Sequence, residues 1–223
     1  MTVMDHKIVR KPWGYEYVAF QNDCVALKVL HIRFGERTSL HCHPNKSTGL
    51  ILVEGEAIIS FIADQAKLTA PAKKMIRRGL FHQTQAVSNE GITMIEVETP
   101  VDQDDLVRLR DSYGRENKGY EDSNFEIPRD HDCLTIVVPQ NGINHYRLGT
   151  CTLDVCYVSD ISILDNYGPD VNVVFLEGGL IKMINDRKHL VTQPGDVGQI
   201  QVVKQVANEM NGFDDNTIAM FIK

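Results

Sequence analysis

The feature that most narrows the fold is the recurrence of short β-branched and apolar runs, each cut off by turn residues. CVALKVLHIR (24–33), LILVE (50–54), AIISFI (57–62), ITMIEVE (92–98), VNVVFLE (171–177) and AMFIK (219–223) are of this kind. Between and beside them stand ADQ (63–65), RRG (77–79), SNEG (88–91) and PGD (194–196). Such runs bounded by turn clusters read as strands. Many short strands with regular turns make an all-β barrel or sandwich. One stretch reads differently. Over 101–114, Leu106, Val107 and Leu109 give an apolar stripe that Asp102 or Asp104 can cap, which predicts one short helix with Arg108 and Arg110 on different sides.

A chain of 223 residues has room for one large domain or two small ones. RENKGYEDSNFEIPRDH (115–131) is polar, with one glycine and one proline, and reads as a connection. The expected division is therefore 1–115, a linker over 116–131, and 132–223. A net charge of −7 argues against nucleic acid, whose binders neutralise phosphates with a basic surface. No apolar run approaches the roughly 20 residues that cross a bilayer. The five cysteines are odd in number and form no CxxC, and Met1–Arg10 lacks an apolar core. They read as reduced thiols in a cytoplasmic protein.

The chemistry concentrates between Gly35 and Gly55, GERTSLHCHPNKSTGLILVEG. His41 and His43 are two apart, so on a strand both imidazoles project from one face, while Cys42 faces away as a small buried hydrophobe. His82 follows a Gly-bearing turn. Three histidines brought together inside a small barrel make a mononuclear metal site with open positions. Lys28, in an apolar strand, either stands at a cavity mouth or snorkels to the surface. Lys46 either points into the same cavity or is an exposed loop lysine. Glu96 and Glu98 share a face by strand parity, directed inward as candidate bases or outward to solvent. Trp13, Tyr15 and Tyr17 share a face in RKPWGYEY; Trp13 reads first as a core anchor, with substrate stacking the alternative. Lys73, Lys74, Arg77 and Arg78 read as a solvated edge, or as phosphate attraction at a barrel mouth.

These residues carry a resemblance. Gly35, His41, His43 and Gly55 fall on the first cupin motif, G-x5-H-x-H-x4-E-x6-G, with Thr48 in the glutamate position. Gly79-Leu80-Phe81-His82 fits the core of the second motif, with Arg77 where a proline is expected. RKPWGYEY and DDLVRLRDSYGR (104–115) resemble the opening and closing stretches of the type II mannose-6-phosphate isomerase family, so the likeness covers about residues 8–115. In that family the position of His41 is usually glutamine and that of Thr48 a glutamate ligand, so this chain exchanges one ligand for another. The resemblance implies one divalent transition metal (Zn, Fe, Mn or Ni) on His41, His43 and His82. It implies an anionic sugar held by Lys28, Lys46, Arg108 and Arg115, which lie on positions basic in the family. Lys46, Glu96 and Arg108 become the candidate catalytic residues.

The second half begins again with strands. Val174–Gly178 (VFLEG) echoes Ile51–Gly55 (ILVEG), and Pro194-Gly195-Asp196 looks like a cupin turn, so the whole chain resembles a bicupin. The expected fold is all-β, two cupin-type jelly-roll barrels with a short helix after the first. Counting from Gly178 by the offsets that separate the three histidines from Gly55 reaches Leu164, Asn166 and Gln205, none a good ligand. The second barrel therefore reads as metal-free, packing on the first or mediating a homodimer. It is acidic, with 6 Lys+Arg against 11 Asp+Glu. Three functions stand: a metal-dependent enzyme on a phosphorylated or nucleotide-linked sugar, most simply a sugar isomerase; a metal-dependent cupin dioxygenase; and a non-catalytic sugar-phosphate-binding module. The family implies polysaccharide or nucleotide-sugar metabolism.

Overall fold

A computed structural model describes residues 7–127 and 133–223. Residues 1–6, part of the Met1–Arg10 stretch, and 128–131 of the expected linker lie outside the described residues. The chain forms two compact units, Met1–Thr135 and Ile136–Lys223.

The first unit is built from β1 (Ile8–Lys11), β2 (Gly14–Gln21), β3 (Ala26–Ile32), β4 (Leu40–Cys42), β5 (Ser47–Glu54), β6 (Glu56–Ser60), β7 (Gln65–Thr69), β8 (Ala72–Ile76), β9 (Gln83–Ala86), β10 (Ile92–Thr99), β11 (Val107–Arg110) and β12 (Phe125–Glu126). A seven-stranded antiparallel sheet runs β12-β1-β2-β3-β10-β5-β8. A three-stranded sheet, β7-β6-β9, and the β11-β4 pair complete a jelly roll. Its apolar filling joins Leu30, Leu52 and Met94 of the large sheet, with Trp13 of the β1–β2 turn, to Ile59 and Ala86 of the small one. Fully burying a side chain of this size stabilises the fold by about 1.5–3 kcal/mol.

Strand parity positions the site. Ile92 and Met94 on β10 belong to that filling, and Glu96 and Glu98, on the same face two and four residues further, open into a cavity. β3 does the same with Leu30 and Lys28, and β5 with Leu52 and Leu50, Leu50 standing opposite Glu96 in the ladder and reaching the cavity wall. One end of the barrel is thus sealed by apolar side chains and the other lined with polar ones. Two glycines make the turns possible. Gly14 has φ +154°, and a Cβ there would sit 1.9 Å from the His31 carbonyl oxygen. Gly55 joins β5 to β6 at φ +84°, with a would-be Cβ 2.7 Å from the Gly91 oxygen.

Three local expectations are corrected. The helix expected over 101–114 is absent: Val107–Arg110 is β11, paired with β4 through Val107↔Cys42, Arg108↔His41 and Arg110↔Leu40. Val107 and Leu109 are 47% and 46% exposed, while Arg108 is buried. Alternation, not a helical stripe, orders this segment, because β4 offers it a ladder. The linker expected over 116–131 is not a free connection in its first part, since Phe125 and Glu126 pair with Val9 and Ile8 of β1. Trp13 does not share a face with Tyr15 and Tyr17. It lies in the preceding turn, buried in the core and against the cavity, whereas Tyr15 stacks on His31.

The second unit holds β13 (Ile143–Leu148), β14 (Cys151–Tyr157), a 3-10 turn at Ile161–Asn166, β15 (Asn172–Glu177), β16 (Ile181–Ile184), β17 (Arg187–Leu190), β18 (Val197–Gln199), α1 (Ile200–Ala207) and β19 (Ile218–Ile222). Its sheet runs β13-β14-β19-β15-β18, beside a β16–β17 hairpin. Asn185 and Asp186 turn that hairpin with positive φ, as its two-residue loop requires. Ile200, Val203 and Ala207 of α1 and Leu164 of the 3-10 turn pack on Phe175 and Phe221 of the sheet. This unit is jelly-roll-like, with helical segments covering one side of the sheet. Leu164 and Asn166 fall in the 3-10 turn and Gln205 in α1, so the positions answering to the histidines are helical here.

Candidate metal centre

One cavity in the first unit is lined by all eight residues the sequence assigned to metal, catalysis and substrate: His41, His43, His82, Lys28, Lys46, Glu96, Arg108 and Arg115. β4 carries His41, and an antiparallel bridge ties it to His82, the backbone N–H of each donating to the carbonyl of the other at 3.0 and 2.8 Å. The ring centroids lie 4.5 Å apart for His41–His82, 5.0 Å for His41–His43 and 5.7 Å for His43–His82.

The hydrogen bonds assign the tautomers. Nδ1 of His41 faces the Ser39 carbonyl at 2.8 Å, that of His43 the Asp105 carbonyl at 2.6 Å, and that of His82 the Leu80 carbonyl at 3.0 Å. A carbonyl only accepts, so each Nδ1 carries the proton and each Nε2 keeps its lone pair. Nε2 of His43 and of His82 is buried without a partner. One nitrogen from each ring lies within 4.8 Å of the others. Buried acceptors left without a donor cost stability; a cation among the three rings would satisfy both of these and engage His41 as well. The rings are also kept neutral. Burial and the neighbouring imidazoles His82 and His43 hold His41 well below its ordinary range. Burial, then Lys46, lowers His43. Burial brings His82 down to about 4. The donor set therefore fits a divalent transition metal.

Beside the imidazoles lies a buried charge cluster. Glu98 receives Lys46 Nζ at 2.8 Å and stands 3.0 Å from Lys28 Nζ. Burial works against its ionisation, and the two ammonium groups overcome it, holding Glu98 below the usual carboxylate range. Glu96, opposite Lys28 and Leu50 in the ladders, is pushed up to about 7 by burial and by the Glu98 charge. His43, Glu96 and Glu98 also bring potential ligand atoms within 4.8 Å of one another. Lys28 and Lys46 thus take the inward position of the two open to each, and Glu96 and Glu98 point in.

Arg108 and Arg115 line the cavity differently. Arg115 is clamped by Asp111, which accepts from its Nε at 3.0 Å and NH2 at 2.7 Å. Arg108 NH1 donates to the carbonyls of Lys118 and Gly119. Lys73, Lys74, Arg77 and Arg78 do not line this cavity; Arg77 and Arg78 are exposed, as a solvated edge would be.

Sequence reasoning missed several contributors. The Asp105 carboxylate accepts from the backbone N–H groups of Asn45 at 2.9 Å and Lys46 at 2.8 Å, and so fixes the loop after His43. Glu16 was visible in principle, since parity puts it opposite Tyr15 and Tyr17. Tyr120, whose hydroxyl donates to Glu16 and whose ring lies 4.0 Å from Lys11 Nζ, gave no signal at all.

Residues 1–111 match the family described as Mannose-6-phosphate isomerase C-terminal. That half of the chain belongs to this cupin family. Among curated proteins, the xanthan biosynthesis protein XanB of Xanthomonas campestris pv. campestris is 27% identical over 112 residues, which is 49% of this chain and 24% of XanB. The chain thus spans about a quarter of that relative's length. Among solved structures, the capsular polysaccharide assembling protein CapF from Staphylococcus aureus shares 17% identity, 47% of this chain and 34% of its own, at a TM-score of 0.41. A cupin superfamily protein from Desulfitobacterium hafniense shares 21% identity, 39% of this chain and 76% of its own, at 0.34.

Proposed function

We propose that the protein is a metal-dependent cupin enzyme acting on a phosphorylated or nucleotide-linked sugar, most simply a sugar isomerase related to mannose-6-phosphate isomerase. The observation that carries this reading is the convergence of three unprotonated Nε2 atoms beside a carboxyl group that titrates near neutrality. His41, His43 and His82 would hold one divalent ion, which when bound polarises the hydroxyl and carbonyl oxygens of the sugar.

The remaining steps fall to the chain. An aldose–ketose isomerisation moves a proton between adjacent carbons, and its carrier must both take and return it near neutral pH. Glu96 suits that role, because burial beside Glu98 raises it to about 7. Lys46 stands near the negative charge that develops on the sugar oxygens, and Lys28 shares its hold on Glu98. The apolar end of the barrel excludes water behind them. An anionic sugar matches a cavity with Lys11, Lys28, Lys46, Arg108 and Arg115 against Glu16, Glu96 and Glu98. The XanB and CapF names, which concern xanthan and capsular polysaccharide, fit a sugar substrate.

Metal analysis of the purified chain, followed by a sugar-phosphate panel in deuterated water, tests this. The expected result is about one metal per chain and deuterium incorporated beside the carbonyl, both lost in His43→Ala or His82→Ala. Saturable sugar-phosphate binding without turnover under any metal would refute the enzyme reading and leave a binding module. One observation favours a second reading: Glu98 is neutralised by two lysines, so the imidazoles stand as an all-histidine set, which also suits a dioxygenase. Oxygen consumption independent of sugar would decide for it.

A further inference from the structure

The cavity's basic side chains are not equally available to a substrate. Lys28 and Lys46 both serve Glu98. Lys11 lies 3.4 Å from Glu16 and donates to the Glu121 carbonyl. Arg115 has two nitrogens on Asp111. Arg108 stands apart. Its NH1 is fixed by the carbonyls of Lys118 at 2.7 Å and Gly119 at 2.6 Å, and its Nε is buried with no partner. Only 8% of the residue is exposed. A guanidinium held from its NH1 side keeps its Nε–NH2 edge as a fork, the shape that receives a phosphate or carboxylate through two parallel hydrogen bonds.

A second observation points to the same place. Glu121 puts one oxygen, Oε2, 3.9 Å from Arg108 NH2 and 3.8 Å from Arg115 NH1. Both distances exceed a hydrogen bond, so the carboxylate is attracted to the pair of arginines without being bound by either. Its side chain is 38% exposed, on the solvent side of the pair, and stands on a segment outside any strand or helix. The chain thus keeps an oxyanion of its own at the arginine pair, loosely.

We infer that Arg108, turned by the Lys118 and Gly119 carbonyls, is the fork that receives the phosphate group of the substrate, and that Glu121 is a carboxylate this phosphate displaces. The inference rests on the sugar-phosphate reading above and adds where the phosphate binds and what it competes with. A dianionic phosphate outcompetes a monoanionic carboxylate between two arginines, because each guanidinium meets more charge. Arg108 then positions and binds; the proton transfer remains with Glu96.

The test uses inorganic phosphate as probe, by calorimetry on the whole chain, with metal content measured on the same samples. Arg108→Lys keeps the charge and removes the fork, and is expected to weaken phosphate binding roughly tenfold, about the worth of one charge-assisted hydrogen bond. Glu121→Gln removes the competitor and is expected to tighten binding severalfold; being half-exposed, it serves where the buried arginine variant fails to fold. In the double variant the gain from Glu121→Gln disappears. Phosphate binding unchanged in Arg108→Lys, or not tightened in Glu121→Gln, overturns the inference. Metal bound normally with no phosphate uptake by the wild type overturns the fork and spares the metal reading; phosphate binding with these variant effects but no metal does the reverse.

Discussion

Glu98→Gln is the perturbation whose consequence the structure sets most sharply. The carboxylate lies between Lys46 Nζ at 2.8 Å and Lys28 Nζ at 3.0 Å, and the three side chains are 3%, 1% and 6% exposed. At an effective dielectric constant near 20, each contact represents about 5.5–6 kcal/mol of attraction before desolvation. Removing one partner of a buried pair leaves the other charge uncompensated, at a cost of about 3–5 kcal/mol. Here one substitution removes the countercharge of two ammonium groups, and because Lys46 meets Oε1 and Lys28 meets Oε2, glutamine's NH2 replaces the acceptor of one of them. We therefore expect a loss of about 4 kcal/mol, a large fraction of the 5–15 kcal/mol that holds a typical domain. Urea unfolding of the metal-free protein at pH 8 measures it. Because Glu98 is held below its ordinary value of 4.5, its contribution is present above that pH and vanishes as pH falls through the lowered folded-state value. The gap between wild type and variant should close accordingly in acid. Adding Lys46→Met should recover part of the loss, since it removes one stranded charge. A loss below about 1 kcal/mol, or strictly additive effects, would refute the idea that this triad is a buried electrostatic unit.

Other outcomes follow from the same coordinates. His82 is held at about 4 against an ordinary 6.5, so its contribution is present above pH 6.5 and lost as pH falls toward 4; the metal-free protein should lose about 3 kcal/mol over that window, visible as a falling melting temperature. Restoring a divalent metal at about 100 times its Kd should stabilise the chelator-treated protein by about 2.7 kcal/mol, and His82→Ala should abolish that gain. Asp105→Ala removes the acceptor for the Asn45 and Lys46 amides and loosens the loop behind His43; metal affinity should fall roughly 10–100-fold, read by competition with a chelator. The rate of any isomerase turnover should rise with an apparent pKa near 7 through Glu96, and Glu96→Gln should remove both rate and profile while leaving metal content intact.

Periodicity two was enough to find much of this molecule. It placed His41 and His43 on one face, turned Cys42 the other way into the buried wall, and put Glu96 beside Glu98. Those inferences need only the geometry of a strand, which the β-branched runs declare by themselves. The same rule was available for 107–110 and was overridden by an apolar stripe at Leu106, Val107 and Leu109 that suits a helix equally well. Local pattern cannot separate the two, because the deciding partner, β4, lies more than sixty residues away. The cation assignments show the other limit. Sequence marks Arg108 and Arg115 alike as basic. Only the closed chain reveals that Asp111 engages one, while two carbonyls from 118 and 119 turn the other and leave its buried Nε without a partner.

What the residues alone determined, then, is the strand-built class of fold, the common face of His41 and His43 and the common face of Glu96 and Glu98, since each follows from alternation along a single strand; that His82 joins the pair and that the carboxylates turn inward were decided when the strands closed. Which nitrogen of each imidazole carries the proton, that Glu98 is shared by two lysines, that Tyr120 lines the cavity and that Glu121 lies beside its two arginines were decided by tertiary structure. Those contacts join side chains and carbonyls from distant parts of the chain, and a hydrogen bond depends on where atoms meet, not on the order in which the residues are written.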